Sequence, residues 1–506
     1  MAREWSKYQK AVFDFIQNSN DSAVINAVAG SGKTSTIVEA SKIAVKKGSV
    51  LFLAFNKSIA QELGHKMEGT GVECKTLHSH GFRALQKVLG YKCKVDDRKW
   101  EKYISDKAEL MLEGMEFDNE AVKYYYIKEC VSLLNLARIN FIRKSDNHDM
   151  YELKDIAEHH NLDLDDIQYN IVNETLGLCY QLNDVVDFTD MITLPLKKSL
   201  QKFLPKYDTV FVDEAQDLSK AQRELMLASV KQGGRFIAVG DKKQCINGFA
   251  GSDIEGFNNL IKTAAHEFPL SVCYRCGKNI IEAAKEIVPY IEAFENQIDG
   301  SVQTVKDLKN VQNGDMLICR KSAPLVSVCL RLIACGYSAQ VKGKDIADGL
   351  KKMVKNTKSK KVSTMLDKLN LEVDKVSKKL EKQKVKDIEN HPKYINLQDK
   401  ISCIRIISEN CKKVDEVVAM LDTLFTDTKN GNAITLSTVH KAKGLEADNV
   451  FILLPDCLPM ITKNQKNWEF EQEMNLKYVA ITRAKKNLYY VDLTAKELLE
   501  RGNYKS

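Results

Sequence analysis

The 506-residue sequence has no apolar run approaching the roughly 18 uncharged residues that a membrane-spanning helix needs. Its opening, MAREWSKYQKAVFDF, also lacks the apolar core of a signal peptide. We therefore expect a protein without a membrane partner that stays where it is made. Thirteen cysteines are scattered without the paired spacing of a disulfide framework or a zinc ribbon. The close pair, Cys273 and Cys276, has no second CxxC or nearby histidine pair to complete a metal site, so no metal is assigned to cysteine and a reducing compartment is expected. Prolines number only eight, which argues against large-scale disorder, and no repeat of fixed period or low-complexity linker is present. Charge of one sign is equally scarce: +7 overall permits a nucleic-acid partner without demanding one.

What is present is the composition of a soluble globular protein, 44% hydrophobic and 28% charged, long enough for three or four compact units. The first 85 residues alternate apolar runs, glycine-bearing turns and helical stretches: SAVINAVAGSGKTSTIVEASKIAVKK reads strand, loop, helix, and SVLFLAF the next strand. Such alternation predicts a parallel α/β sheet. From 86 to 184 long polar and aromatic helical stretches replace it. Strand-like runs return at DTVFVDEAQD and GRFIAVGD, then at GDMLICRKS, NAITLSTVH, NVFILL and NLYYVDL. We expect a first α/β core from 1–85 and 185–270 with a helical insertion at 86–184. A second core would span 271–345 and 430–506, with a lysine-rich helical insertion at 346–429. Within that insertion, residues 351–386 hold thirteen lysines against four acids, and Leu366, Leu369, Val373, Val376 and Leu380 recur at steps of three and four. This spacing predicts a helix with one buried stripe, against which ISCIRIISENCKKVDEVVAMLDTLF can pack as a hairpin. The lysines fit either a solvated face or a duplex-contacting one.

The segment Ala27-Val28-Ala29-Gly30-Ser31-Gly32-Lys33-Thr34 lies after an apolar strand and before a helix, the setting of a phosphate-binding loop. Glycines let backbone N–H groups turn onto phosphates, Lys33 reaches the β- and γ-phosphates, and the Thr34 hydroxyl is placed to ligate Mg²⁺. Ala27 stands where the general pattern has its first glycine. A second acidic element is expected at a neighbouring strand end, and TVFVDEAQD supplies Asp213 to hold Mg²⁺ and Glu214 to orient and deprotonate a water. Negative charge developing on a transferred phosphoryl group calls for arginine, and Arg275 in LSVCYRCG and Arg483 in YVAITRAKKNL are the candidates.

With these motifs in hand, the chain resembles the UvrD-like superfamily 1 helicases, the UvrD, Rep and PcrA group, and within them the F-box DNA helicases and their phage relatives. The resemblance covers nearly all the chain outside 86–184 and 346–429. It implies two RecA-like P-loop cores, ATP and Mg²⁺ as cofactors, and an ATP-dependent DNA helicase moving 3′ to 5′ on single-stranded DNA in replication, recombination or repair. By resemblance Gln9 reads adenine, Ala29, Gly30, Ser31, Gly32, Lys33, Thr34 and Ser35 form the nucleotide loop, and Gln244 in VGDKKQCINGFAGSD senses the γ-phosphate. Tyr274 stacks on adenine, Arg275 and Arg483 are arginine fingers, Gly444 approaches the γ-phosphate and Glu446 binds the ribose. Asn56 and Lys57 in LAFNKSIAQEL, His78 and His80 in TLHSHGFRAL, Phe249 and His440 are implied to touch DNA. The implied partners are single-stranded DNA and single-strand/duplex junctions, with the protein acting as a monomer or weak oligomer. The implied location is cytoplasmic, at a nucleoid or viral replication site, or nuclear in a eukaryote. Departures from the family pattern are Ser35 where an arginine is frequent, Asn247 and Phe249-Ala250 in place of aromatic residues and arginine, and Asn475 at a usually basic position. A translocase that strips bound proteins and an RNA helicase remain alternative readings.

Overall fold

In the computed structural model the apolar runs form two separate six-stranded parallel sheets. The structure describes residues 4–90, 93–111, 120–146, 150–162, 164–248, 254–382, 387–389, 391–425, 433–462 and 465–493. The chain divides into two units, Met1–Ser271 and Val272–Ser506.

The first unit's sheet comprises β1 (Ala23–Ala27), β2 (Val50–Ala54), β3 (Val72–Thr76), β4 (Tyr207–Val212), β5 (Val230–Gly240) and β6 (His266–Leu270). Their spatial order is β3-β2-β4-β5-β1-β6, with every neighbouring pair parallel. Parallel strands covered on both faces read as continuous apolar runs, and β2, VLFLA, is buried at all five positions. Alternate side chains enter opposite cores: Leu51, Leu53, Val210 and Val212 one, Phe52, Ala54, Phe211 and Ile237 the other. Because β5 lies between β1 and β4, the segments that follow these three strands emerge together at the sheet's carboxyl edge, where ligands of open α/β sheets bind.

The helical insertion leaves and re-enters through two short strands, Lys94–Val95 and Val185–Val186, which pair with each other. The expected boundary at 85/86 cuts a helix, Leu77–Leu89, so the insertion proper starts beyond it. Helices Lys99–Met111, Glu120–Ile139, Tyr151–His159 and Asp166–Cys179 share a core of their own around Ile104, Leu133, Leu134, Ile171 and Leu176. Arg138, buried at the end of the second of these helices, anchors it to the sheet-bearing part. Its guanidinium donates to both Asp187 oxygens (2.6 and 2.8 Å) and to Asp190 (2.7 Å), and Lys99 also pairs with Asp190. A buried charge this fully compensated is costly to break.

The second unit's sheet comprises β7 (Ser301–Val305), β8 (Met316–Cys319), β9 (Ala339–Val341), β10 (Ile434–Thr438), β11 (Ala447–Leu453) and β12 (Ala484–Val491). It runs β7-β12-β11-β8-β10-β9, again all parallel. Its lysine-rich insertion is helical, with Lys344–Asn356, Val362–Lys382, Pro392–Ser408 and Val414–Leu424. In the predicted stripe Leu369, Val373 and Leu380 are buried and Leu366 and Val376 half-buried, while Met365 joins them from inside the same helix. Among the described residues its buried side chains join the core of the sheet: Met365, Leu369 and Ile404 belong to one cluster with Leu317, Leu436 and Val491. Among the described residues no helix is long and apolar enough to cross a membrane.

Candidate nucleotide site and arginine cluster

The loop after β1 is tethered to β6 by the Val28 N–H, which donates to the Leu270 carbonyl at 3.0 Å. Gly30 (φ 68°) and Gly32 (φ 79°) take left-handed backbone that a side chain would strain. Gly32 caps helix Lys33–Ala44 without a side-chain hydrogen bond, so the helix presents its leading N–H groups to the loop. Ala29 and Ser31 are buried beneath it, and the Ser31 hydroxyl has no hydrogen-bond partner among the described residues.

Asp213 follows β4. Its carboxylate accepts from the Thr34 hydroxyl at 3.4 Å and from the Glu214 N–H at 2.9 Å. Glu214 is held at φ 52°, a backbone strain that turns its carboxylate to within 3.9 Å of Lys33 Nζ. Two residues that the sequence reading did not single out complete the network. Gln216 donates from Nε2 to Glu214 (2.6 Å) and accepts from the Asp241 N–H at Oε1 (3.0 Å). Asp241, after β5, accepts from Gln244 Nε2 at 2.7 Å. The close approach requires glycine at 240, where a Cβ would stand 2.4 Å from Gln216 Oε1. A continuous hydrogen-bonded path thus runs Glu214, Gln216, Asp241, Gln244.

Burial, reinforced by the neighbouring Glu214, pushes the Asp213 carboxyl up to about 7 against the pull of Lys33, and burial also raises Asp241. A site that penalises its own carboxylate charge suits a bound cation, and the oxygen donors of Thr34 and Asp213 match the hard character of Mg²⁺. Gln9, expected at the adenine, is buried. Its Oε1 accepts from Ser6 N–H (3.1 Å) and its Nε2 donates to Thr36 Oγ1 (2.9 Å), which ties the first helix to the phosphate-loop helix beside half-buried Ser35.

In the second unit the arginines gather at the amino edge of the sheet, since Glu446 precedes β11 and Arg483 precedes β12, strands paired at Ala447 and Ala484. Arg275 Nε lies 2.7 Å from Glu446, whose other oxygen lies 2.7 Å from Lys485; these cations hold the Glu446 carboxyl below its usual range despite burial. Arg483 is 1% exposed, donating to Val479 O (2.9 Å), Leu445 O (3.2 Å) and Thr482 Oγ1 (3.1 Å). Tyr274 packs its ring against Phe294 at 5.1 Å, and Gly444 is exposed at φ 84°. At the opposite, carboxyl edge, Arg320 makes a forked pair with Glu473 (2.6–3.1 Å).

Of the residues implied to meet DNA, Asn56 and Lys57 are exposed just past β2, Asn56 capping the following helix by accepting from Ile59 N–H at 2.8 Å. His78 is half-buried, edge-on to Phe188, and burial lowers its pKa. His80 corrects the expectation. It is 1% exposed, its Nε2 lies 2.8 Å from Ser229 Oγ and burial pushes it down to about 4, so no ring face is offered to a phosphate. His440 follows β10; burial, then Arg320 and Lys441, push it down to about 3, which keeps it neutral. Phe249 lies outside the described residues.

A phosphate loop at the carboxyl edge of a parallel sheet, with an acid pair at the end of a nearby strand, defines a P-loop α/β protein, here followed by a second parallel unit. Residues 7–265 match the UvrD/REP helicase N-terminal domain and 416–493 the UvrD-like helicase C-terminal domain, and the chain belongs to this helicase family. It is similar to F-box DNA helicase 1 of Gallus gallus, 27% identical over 496 residues covering 92% of this chain and 46% of that protein. It is also similar to F-box DNA helicase protein 1 of Schizosaccharomyces pombe (24%; 96% and 57%) and to ATP-dependent DNA helicase PcrA of Staphylococcus epidermidis (25%; 63% and 60%). The chain thus spans about half the length of these relatives.

Proposed function

We propose that the chain is an ATP-dependent DNA helicase that moves 3′ to 5′ along single-stranded DNA and opens duplex at junctions, acting on replication, recombination or repair intermediates. The observation that carries this reading is the convergence of Lys33, Thr34, Asp213, Glu214 and Gln244 on one sheet edge, joined by the Glu214-Gln216-Asp241-Gln244 path. Lys33 and the loop N–H groups hold ATP phosphates. Thr34 and Asp213 hold Mg²⁺, which neutralises phosphate charge when bound. Glu214 orients and deprotonates the attacking water, and Gln244 senses the γ-phosphate through Asp241. Arg275 and Arg483 supply positive charge to the transferring phosphoryl group, with Tyr274, Gly444 and Glu446 on the nucleotide. Asn56, Lys57, His78, Phe249 and His440 touch the DNA, the neutral histidines as hydrogen-bonding groups.

The test is unwinding of duplexes carrying a 3′ tail, a 5′ tail or no tail, with DNA and RNA versions of the loading strand. Opening of the 3′-tailed DNA substrate is expected. Equal opening of all three, or loading on RNA alone, would contradict the reading.

A further inference from the structure

We propose that Asp217 and Asn247 are positioning residues through which bound DNA governs ATP hydrolysis: their hydrogen bond ties the Glu214 carboxylate to the loop that follows β5. Asp217 is buried at the end of the short 3-10 turn Ala215–Asp217, which directly follows Glu214. Its Oδ1 accepts from Asn247 Nδ2 at 3.2 Å and its Oδ2 from Gln216 Nε2 at 3.3 Å. The same Gln216 nitrogen donates to Glu214 Oε2 at 2.6 Å. A second branch therefore leaves Gln216, running Glu214, Gln216, Asp217, Asn247, beside the one that reaches Gln244 through Asp241.

Chemistry fixes which way the Gln216 amide faces. The Asp241 N–H can only donate, so Gln216 turns Oε1 to it and is left with Nε2 for the carboxylates. One NH₂ group thus serves two acids, and the two contacts are unequal, 2.6 Å to Glu214 against 3.3 Å to Asp217. When Glu214 turns to an attacking water it loosens its hold on that nitrogen, and Gln216 is drawn towards Asp217. From the other end, a strand of DNA that shifts the loop moves Asn247 and Asp217, and with them the donor that restrains Glu214. A chain of hydrogen bonds with two arrangements carries coupling in this way.

The loop is fastened up to the residue that makes this contact. Cys245 and Ile246 are buried, and Cys245 Sγ donates to the Gln216 carbonyl at 3.3 Å. Asn247 is the half-buried position that follows them, two residues before Phe249 in the sequence. It is also one of the positions at which the chain departs from the family pattern, so the contact with Asp217 belongs to this chain's own residues. The effect on turnover rests on the reading that this sheet edge hydrolyses ATP in response to DNA.

The test measures ATP hydrolysis by the full chain, with and without a single-stranded oligonucleotide, in Asn247→Asp, in Asn247→Ala and in the exchanged pair Asp217→Asn with Asn247→Asp. Asn247→Asp sets two carboxylates against each other. The ratio of DNA-stimulated to basal turnover is expected to fall on the order of tenfold, within the roughly 5- to 150-fold range of coupling between two sites. Asn247→Ala removes the donor without adding charge, and a smaller fall in the same ratio is expected. The exchanged pair again sets an amide against a carboxylate, with the amide oxygen free to accept from Gln216, so the ratio is expected to recover. A merely structural contact would lower both rates together and leave the ratio as it was, and that result overturns the proposal. So does a folded exchanged pair that fails to restore the ratio. An unchanged ratio in Asn247→Ala overturns it even where Asn247→Asp does not fold. Wild-type turnover indifferent to DNA overturns the proposed function and this inference with it, whereas DNA-stimulated wild-type turnover with the ratio intact in both single variants overturns the inference alone.

Discussion

The two sheets present their candidate nucleotide and arginine groups at opposite edges. In the first unit the candidate groups follow strands: Gly30 to Thr34 after β1, Asn56 and Lys57 after β2, Asp213 after β4, Gln244 after β5. In the second, Glu446 and Arg483 precede β11 and β12. The charge state differs as sharply. Lys33 meets Glu214 only at 3.9 Å and Asp213 is pushed up to about 7, so the first site is short of positive charge. Arg275 and Arg483 instead have close oxygen acceptors of their own at 2.7–3.2 Å. Among the described residues of the first unit, Thr34, Asp213 and Glu214 cluster around a single close cation, Lys33. In the other, Arg275 and Arg483 are held by partners of that same unit.

That contrast breaks most visibly at Arg275. Arg275→Ala should cut kcat by about 10³ or more while nucleotide affinity changes little, because the arginine acts where charge develops. Steady-state kinetics beside nucleotide binding measures this, and a loss confined to KM would return Arg275 to a binding role. A smaller effect is expected at Gln216, which hydrogen-bonds Glu214 through Nε2. Gln216→Ala should lower kcat by roughly 10- to 100-fold, the usual scale for supporting hydrogen bonds around a site, with most of the loss in the DNA-stimulated rate. Equal loss with and without DNA would make Gln216 merely structural.

The smallest effect separates a core histidine from a surface one. His80, at about 4 when folded against about 6.5 unfolded, favours the unfolded chain once protonated. Stability is then complete above the unfolded value and is lost as pH falls towards 4, by at most about 1.4 kcal/mol per pH unit. Glu73, Arg83 and Lys75 act on the ring beside Ser229 and Tyr207. Denaturant unfolding between pH 7 and 4 should show a shallower acid slope in His80→Gln than in wild type, whatever the absolute stability of the variant. Identical slopes would remove His80 from the account.

The parallel sheets were legible because strands buried on both faces leave unbroken apolar runs, as in VLFLA. The convergence of Lys33, Thr34 and Asp213 was legible from loops at strand ends. Gln216 and Asp241 were not, since their roles arise only when β4 lies beside β5, a pairing of residues with no periodic signature. His80 could have been read correctly. Leu77, His80, Gly81, Ala84 and Leu85 recur at three- and four-residue steps on one helix face, and all five are buried. The DNA role expected of His80 came instead from the family resemblance of TLHSHGFRAL, which takes no account of that stripe. The merger of the lysine-rich insertion with the second sheet's core was equally invisible, because Met365 meets its cluster through residues distant in sequence.

The central claim is that the first unit's carboxyl edge hydrolyses ATP in response to single-stranded DNA. Turnover of the purified chain with and without an unstructured oligonucleotide, beside Lys33→Ala, tests it directly. Strong stimulation by DNA is predicted, abolished in the variant while DNA binding persists; turnover indifferent to DNA, or retained without Lys33, would contradict the account.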